Sequence, residues 1–124
     1  MSQSDDVILL VENEVITRNA FADALQREGH DVLQAADGVQ ALSLLDNSDV
    51  DLVITDLVMP KLNGFHLIAV IRAKWPHIPI LFISAYMSQD AGKIISSECT
   101  EFMHKPIDPS DLIAAVQRLV PTIH

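Results

Sequence analysis

The stretch DLVITDLVMP, Asp51 to Pro60, decides how the chain folds. Leu52, Val53 and Ile54 make an unbroken apolar run, the mark of a strand covered on both faces and not of one with a wet side. The run is too short for a core helix. Thr55 and Asp56 then bring polar groups, and a proline follows at position 60, so the strand stops where a carboxylate begins. A lone aspartate in that place reads best as a turn residue. What stands at the ends of the other strands decides whether it is more.

Working outward, VILLV (Val7 to Val11) and IPILFIS (Ile78 to Ser84) repeat the buried-strand pattern. HDVLQA (His30 to Ala35) alternates and predicts a more exposed strand, and TEFMH (Thr100 to His104) a short fifth one. Helix-period segments lie between them. The first carries a stripe of Ile16, Ala20, Phe21, Ala24 and Leu25 and stops at Gly29. Asp37-Gly38 marks a turn before a helix through Ala41, Leu42 and Leu45. Asn63-Gly64 opens a helix with Leu67, Ile68 and Ile71, which ends before Pro76. Gln89 to Ser97 makes a weak fourth helix with only Ala91, Ile94 and Ile95 to bury. In the last helix Asp108 caps, Pro109 suits the first turn, and Leu112, Ile113, Val116, Leu119 and Val120 form the stripe.

Strands alternating with helices predict an α/β fold: a three-layer, doubly wound parallel sheet of five strands, flavodoxin-like, in the order 2-1-3-4-5. At 124 residues the chain is one domain, residues 1–124 with a core over about 6–120. The single cysteine, Cys99, excludes an internal disulfide and suits a reducing compartment. No apolar run reaches the roughly 20 residues of a membrane helix, and MSQSDD lacks the basic start and apolar centre of a signal peptide. A cytoplasmic location is the expectation. With 17 acidic and 8 basic residues, net charge −9, the chain is a poor nucleic-acid binder by itself, and any transcriptional output needs a further domain or another chain. The five histidines show no metal spacing.

In such sheets ligands bind beyond the carboxyl ends of the strands, near the switch in strand order. Those ends carry Glu12, Asn13 and Glu14 after the first strand, Asp56 after the third, Ser84-Ala85 after the fourth and Lys105-Pro106 after the fifth. Taken singly, Glu12 and Glu14 suit the first turn of a helix, where the dipole favours acids, and for Glu14 that reading is preferred. Ser84 alone reads about equally as a structural hydroxyl, capping a helix or buried, and as a functional one. Together, with Met59-Pro60 and Gly64 following Asp56, these residues resemble the receiver domain of two-component response regulators across almost the whole chain.

The resemblance implies that Asp56 accepts a phosphoryl group from a phosphohistidine on a sensor histidine kinase or histidine phosphotransfer protein. Mg²⁺ would be held by Glu12, Asn13, the Asp56 carboxylate and the backbone carbonyl of Val58, with water completing the octahedron. Lys105 would place its ammonium on the phosphoryl oxygens, aimed by a cis bond to Pro106, and Ser84 would turn its hydroxyl toward the phosphate. Ser84 and Phe102 hold the positions of the switch pair, although a core phenylalanine explains Phe102 as well. Output would pass to a downstream protein or a second copy of the chain through the face of the weak fourth helix, the fifth strand and the last helix. No direct nucleic-acid or membrane contact is implied. The resemblance implies a phospho-acceptor signalling module, not an enzyme with a separate substrate, and one able to catalyse its own phosphorylation and dephosphorylation.

Two departures carry expectations. Receivers place two acids after the first strand, and here the second is Asn13, whose amide can coordinate Mg²⁺ but brings no charge. Metal affinity should fall, with less like-charge repulsion around Asp56. Trp75 fluorescence or amide NMR signals should report the titration. Val58 and Tyr86 stand where receivers steer the hydrolytic water, and neither suits that task, so the phosphorylated form should be long-lived. The runner-up function is a pseudo-receiver, a phosphorylation-independent interaction module, supported by Asn13 and opposed by Asp56, Ser84 and Lys105. An aspartyl phosphatase would want an acid where Val58 stands, and a flavodoxin would want a hydroxyl-rich loop in place of ENEVITRN.

Overall fold

The computed structural model describes residues 6–56, 64–85 and 101–120. In chain order these form β1 (Val7–Val11), α1 (Val15–Arg27), β2 (Asp31–Ala35), α2 (Gly38–Asn47), β3 (Leu52–Asp56), α3 (Gly64–Lys74), β4 (Ile80–Ser84), β5 (Glu101–His104) and α4 (Pro109–Leu119). All neighbouring strands pair parallel in the order β2-β1-β3-β4-β5. The weak helix expected over Gln89 to Ser97, with Ile94, Ile95 and Cys99, lies outside the described residues, as do Val58 and Tyr86.

The apolar runs are continuous because the sheet is covered twice. Successive side chains of a strand point to opposite faces, so one run feeds two cores. On one face Leu9, Val11, Val53, Ile80 and Phe82 pack with Ala41 and Leu45 of α2 and Leu67, Ile68 and Ile71 of α3. On the other, Ile8, Leu10, Leu52, Ile54, Leu81 and Ile83 pack with Phe21, Ala22 and Leu25 of α1 and Leu112, Ala115 and Val116 of α4. Each fully buried Leu, Ile or Phe contributes roughly 1.5–3 kcal/mol by leaving water, so the three central strands anchor the fold. β2 sits at an edge, and its mixed exposure matches its alternating sequence.

The helix ends follow local chemistry. Asp37 is the N-cap of α2, accepting from the Gln40 N–H at 2.9 Å, so the Asp37-Gly38 turn expected from sequence is a cap with Gly38 already helical. Asp108 caps α4 through the Ser110 N–H at 3.2 Å, with Pro109 in the first turn as expected. Gly29 ends α1 at φ +93°, a conformation that a side chain disfavours.

Two residues of the expected stripe are not in the core. Ile16 is 81% exposed and Ala20 is exposed too, whereas Phe21, Ala22 and Leu25 of α1 are buried. Helical spacing alone could not distinguish the two ends of the stripe. In the fold Ile16 and Ala20 line an open cleft of about 470 Å³ with Pro106, Ile107 and Pro109, beside Lys105. Among the described residues no helix is long and apolar enough to cross a membrane.

Candidate functional site

Register brings the strand ends together. Val11 pairs with Thr55, which sets Glu12 level with Asp56; Asp56 pairs with Ile83, so Ser84 lies one step further along β4. Ser84 pairs with His104, and the Lys105 N–H donates to the Ser84 carbonyl at 2.8 Å. Four segments, distant in sequence, thus open at the carboxyl edge of β1, β3, β4 and β5. The Lys105-Pro106 peptide is cis, as the resemblance implied.

The centre is an ion triad. Lys105 Nζ lies 2.5 Å from Asp56 Oδ2 and 3.0 Å from Glu12 Oε1. Glu12 is 1% exposed and Asp56 5%, so two nearly enclosed carboxylates share one ammonium. The Asp56 carboxylate is closed to solvent on one side, where Lys105 covers one of its oxygens. An acid pair buried this deeply is tolerable only with a cation beside it, because an uncompensated charge away from water is costly.

Burial pushes the Glu12 carboxyl above its ordinary 4.5, and the Asp56 charge adds to this; hydrogen bonds from Lys105 and the Glu14 N–H pull it back without cancelling it. Burial alone would lower Lys105. The hydrogen bonds and charges of Asp56 and Glu12 outweigh it and leave the ammonium above its ordinary 10.5. The amine therefore stays protonated across the physiological range.

Glu12 is held on every side. Its N–H donates to the Ala35 carbonyl at 3.0 Å, its Oε2 accepts from the Glu14 N–H at 3.1 Å, and its carbonyl accepts from Arg18 Nη1 at 2.8 Å. Glu14 is the N-cap of α1 and its carboxylate accepts from Thr17 Oγ1, which fits its reading as a helix-start residue. Asn13 follows Glu12 and is exposed. Ser84 is fully buried at the end of β4. Phe102, on β5, is half-buried, with its ring centroid 6.2 Å from Phe82 and 6.5 Å from His104 in an edge-on contact. Arg18 was missed in the sequence, where a helical arginine six residues beyond Glu12 carries no distinguishing pattern.

The donors suit a hard divalent cation. Glu12 and Asp56 already converge on one positive charge through oxygen, the donor that Mg²⁺ prefers, and the exposed Asn13 follows Glu12 directly in the chain. The Val58 carbonyl lies outside the described residues. Trp75 does not belong to this edge: it lines a cleft with Leu45, Asp46, Ser48 and Ile78, residues that precede β3 and β4 at the amino ends of the strands. Its expected use as a reporter of the site is therefore withdrawn in favour of amide signals.

Residues 8–117 match the response regulator receiver domain family. The chain is 32% identical over 116 residues to a probable transcriptional regulator, ycf29, of Pyropia yezoensis, covering 91% of this chain and 52% of that protein. It is 32% identical over 112 residues to the response regulator protein FleR of Pseudomonas aeruginosa, covering 90% of this chain and 24% of that one. It thus spans about half the first relative and a quarter of the second. Among solved structures, the chemotaxis response regulator CheY4 of Vibrio cholerae superposes with a TM-score of 0.88 at 27% identity, covering 94% of this chain and all of that one. Sheet order, strand-end chemistry and these matches agree: the chain belongs to the response regulator receiver domain family, the signal-receiving module of two-component systems.

Proposed function

We propose that this chain takes a phosphoryl group onto Asp56 from a phosphohistidine of a sensor kinase or histidine phosphotransfer protein, and that the modification shifts a partner-binding face. The observation that carries the reading is the Lys105 ammonium, held 2.5 Å from Asp56 and 3.0 Å from Glu12 at the mouth of the sheet. A structural salt bridge needs one carboxylate. Two buried carboxylates on one lysine leave a net charge of −1, which suits a further cation, and with that cation bound the site can accept a phosphoryl group.

In the proposed reaction an Asp56 oxygen attacks phosphorus in line with the bond to the imidazole nitrogen. The new O–P bond gives an acyl phosphate, and the P–N bond breaks with its electron pair left on the imidazole. Such transfers need positioning and charge more than covalent assistance. β3 fixes the direction of Asp56. Lys105 exchanges its contact with Asp56 for the arriving phosphoryl oxygens and keeps Glu12 as its second anchor. Ser84 supplies a hydroxyl from the adjacent strand end. Glu12, Asn13, Asp56 and the Val58 carbonyl would hold Mg²⁺, which when bound neutralises charge on the phosphoryl oxygens. Phe102, half-buried beside Phe82, suits a ring that exchanges a surface position for an inner one when Ser84 is drawn to the phosphate. Output would pass through the face of β5, α4 and the segment 89–97, to a downstream protein or a second copy of the chain. One domain over residues 1–124, acting in the cytoplasm without direct contact to nucleic acid or membrane, completes the reading.

Incubation with phosphoramidate and Mg²⁺, followed by intact-mass measurement, tests it. One added phosphoryl group, labile to hydroxylamine and lost in Asp56→Asn, is expected. An unmodified mass under conditions that load a control receiver rejects the reading in favour of a phosphorylation-independent module.

A further inference from the structure

We propose that Arg18 is a positioning residue for the cation site, holding the peptide that carries Asn13 so that a neutral amide can serve where an acid would bind by charge. This rests on the functional reading above. Arg18 Nη1 donates to the Glu12 carbonyl at 2.8 Å, and that carbonyl belongs to the peptide joining Glu12 to Asn13. The arginine is itself fixed: its backbone N–H donates to the Glu14 carbonyl at 2.9 Å in the first turn of α1, and its side chain reaches back over that turn.

Glu12 has other restraints, since Lys105 and the Glu14 N–H hold its two carboxylate oxygens and Ala35 accepts from its N–H. Asn13, exposed and one residue further, takes its orientation from the peptide plane that Arg18 pins. An amide oxygen gains less from a divalent cation than a carboxylate does, so its contribution depends more on being held in place beforehand. Residues that orient ligands without touching the metal typically matter 10–100-fold in affinity, by order of magnitude.

The charge of Arg18 gives the proposal a sign that separates it from its rivals. A guanidinium near a cation site repels the ion, so if Arg18 acted only through its charge, removing it would tighten Mg²⁺ binding. If it served only the stability of α1, removal would lower the melting temperature and leave the affinity alone. Positioning alone predicts that loss of a nearby positive charge weakens binding of a positive ion.

The test titrates Mg²⁺ into the intact chain, followed by amide NMR shifts, for the unsubstituted protein, Arg18→Met and Arg18→Lys, with Arg18→Gln used if the methionine variant does not fold. Arg18→Met should bind about tenfold more weakly. Arg18→Lys, which keeps a donor and the charge, should recover part of the loss. In the metal-free proteins, ¹⁵N relaxation of the Asn13 amide should show greater fast motion in Arg18→Met. Equal or tighter Mg²⁺ binding in Arg18→Met, or an Asn13 amide that moves no more than before, overturns the proposal. Failure of the unsubstituted chain to bind Mg²⁺ at all overturns the metal reading of the site itself, and this role of Arg18 with it.

Discussion

Replacing Lys105 by methionine keeps most of the length of the side chain and removes the charge that two enclosed carboxylates share. At 2.5 and 3.0 Å, each contact is worth about 5–7 kcal/mol of gross Coulomb attraction at an effective dielectric of about 20, most of it offset by desolvation. Leaving buried ions without their partner costs about 3–5 kcal/mol as a rule. The Lys105 side chain is 23% exposed, so water reaches the pocket and the lower end, about 3 kcal/mol, is expected near neutral pH. For 124 residues that is a fall of roughly 12 °C in melting temperature, at about 4 °C per kcal/mol.

The loss should depend on pH in a definite direction. Burial already raises Glu12 above 4.5, with the Asp56 charge adding to it, so the folded chain binds this proton more tightly than the unfolded chain does. Between 4.5 and the raised value, native stability therefore falls as pH rises. Without the lysine that window widens upward, because the ammonium no longer favours the charged form. Lys105 is raised from 10.5, so its own contribution is whole below 10.5 and disappears as pH climbs through its folded value. The difference between the two proteins should be small at about pH 4, full near neutrality and smaller again in strong base. Urea unfolding followed by circular dichroism at these pH values measures it. Glu12→Gln in the methionine background should restore part of the loss, giving a double-mutant cycle. A neutral-pH difference under about 0.5 kcal/mol, or one that does not change with pH, would refute the reasoning.

Asn13→Asp should tighten Mg²⁺ about 5- to 30-fold, from about 1 kcal/mol per unit charge pair near 4 Å in water, read by amide NMR titration; equal affinities would remove the idea. Val58→Asn with Tyr86→Glu should shorten the life of the acyl phosphate several-fold, followed by loss of the phosphorylated mass with time. An unchanged rate would show that these positions do not restrict the hydrolytic water.

The fold was largely legible because the information is local and periodic. Uninterrupted apolar runs declared strands covered on both faces, and VILLV and LVITD are strands β1 and β3 within a residue of where the sequence placed them. Asp108-Pro109 announced the start of α4 through a cap whose chemistry involves neighbouring residues only. Ile16 was misplaced because a helical stripe records which side is apolar and not where the packed neighbour ends. Asp37-Gly38 was misread as a turn because a capping aspartate and a turn aspartate share the same composition. Trp75 lies toward the other edge of the sheet and does not report on the site, a distance that sequence spacing does not encode.

By itself the sequence determined the kinds of groups at the strand ends: acids and an amide after β1, a carboxylate after β3, a hydroxyl after β4, a lysine after β5. Their side-chain chemistry is intrinsic and survives any rearrangement. Only the tertiary structure decided that Glu12 and Asp56 share one ammonium, that both carboxylates are almost wholly buried, and that Arg18 grips the carbonyl before Asn13. Charge interactions depend on distance and on exclusion of solvent. Both arise when parallel strands lock in register, after residues 93 positions apart, Glu12 and Lys105, have become neighbours.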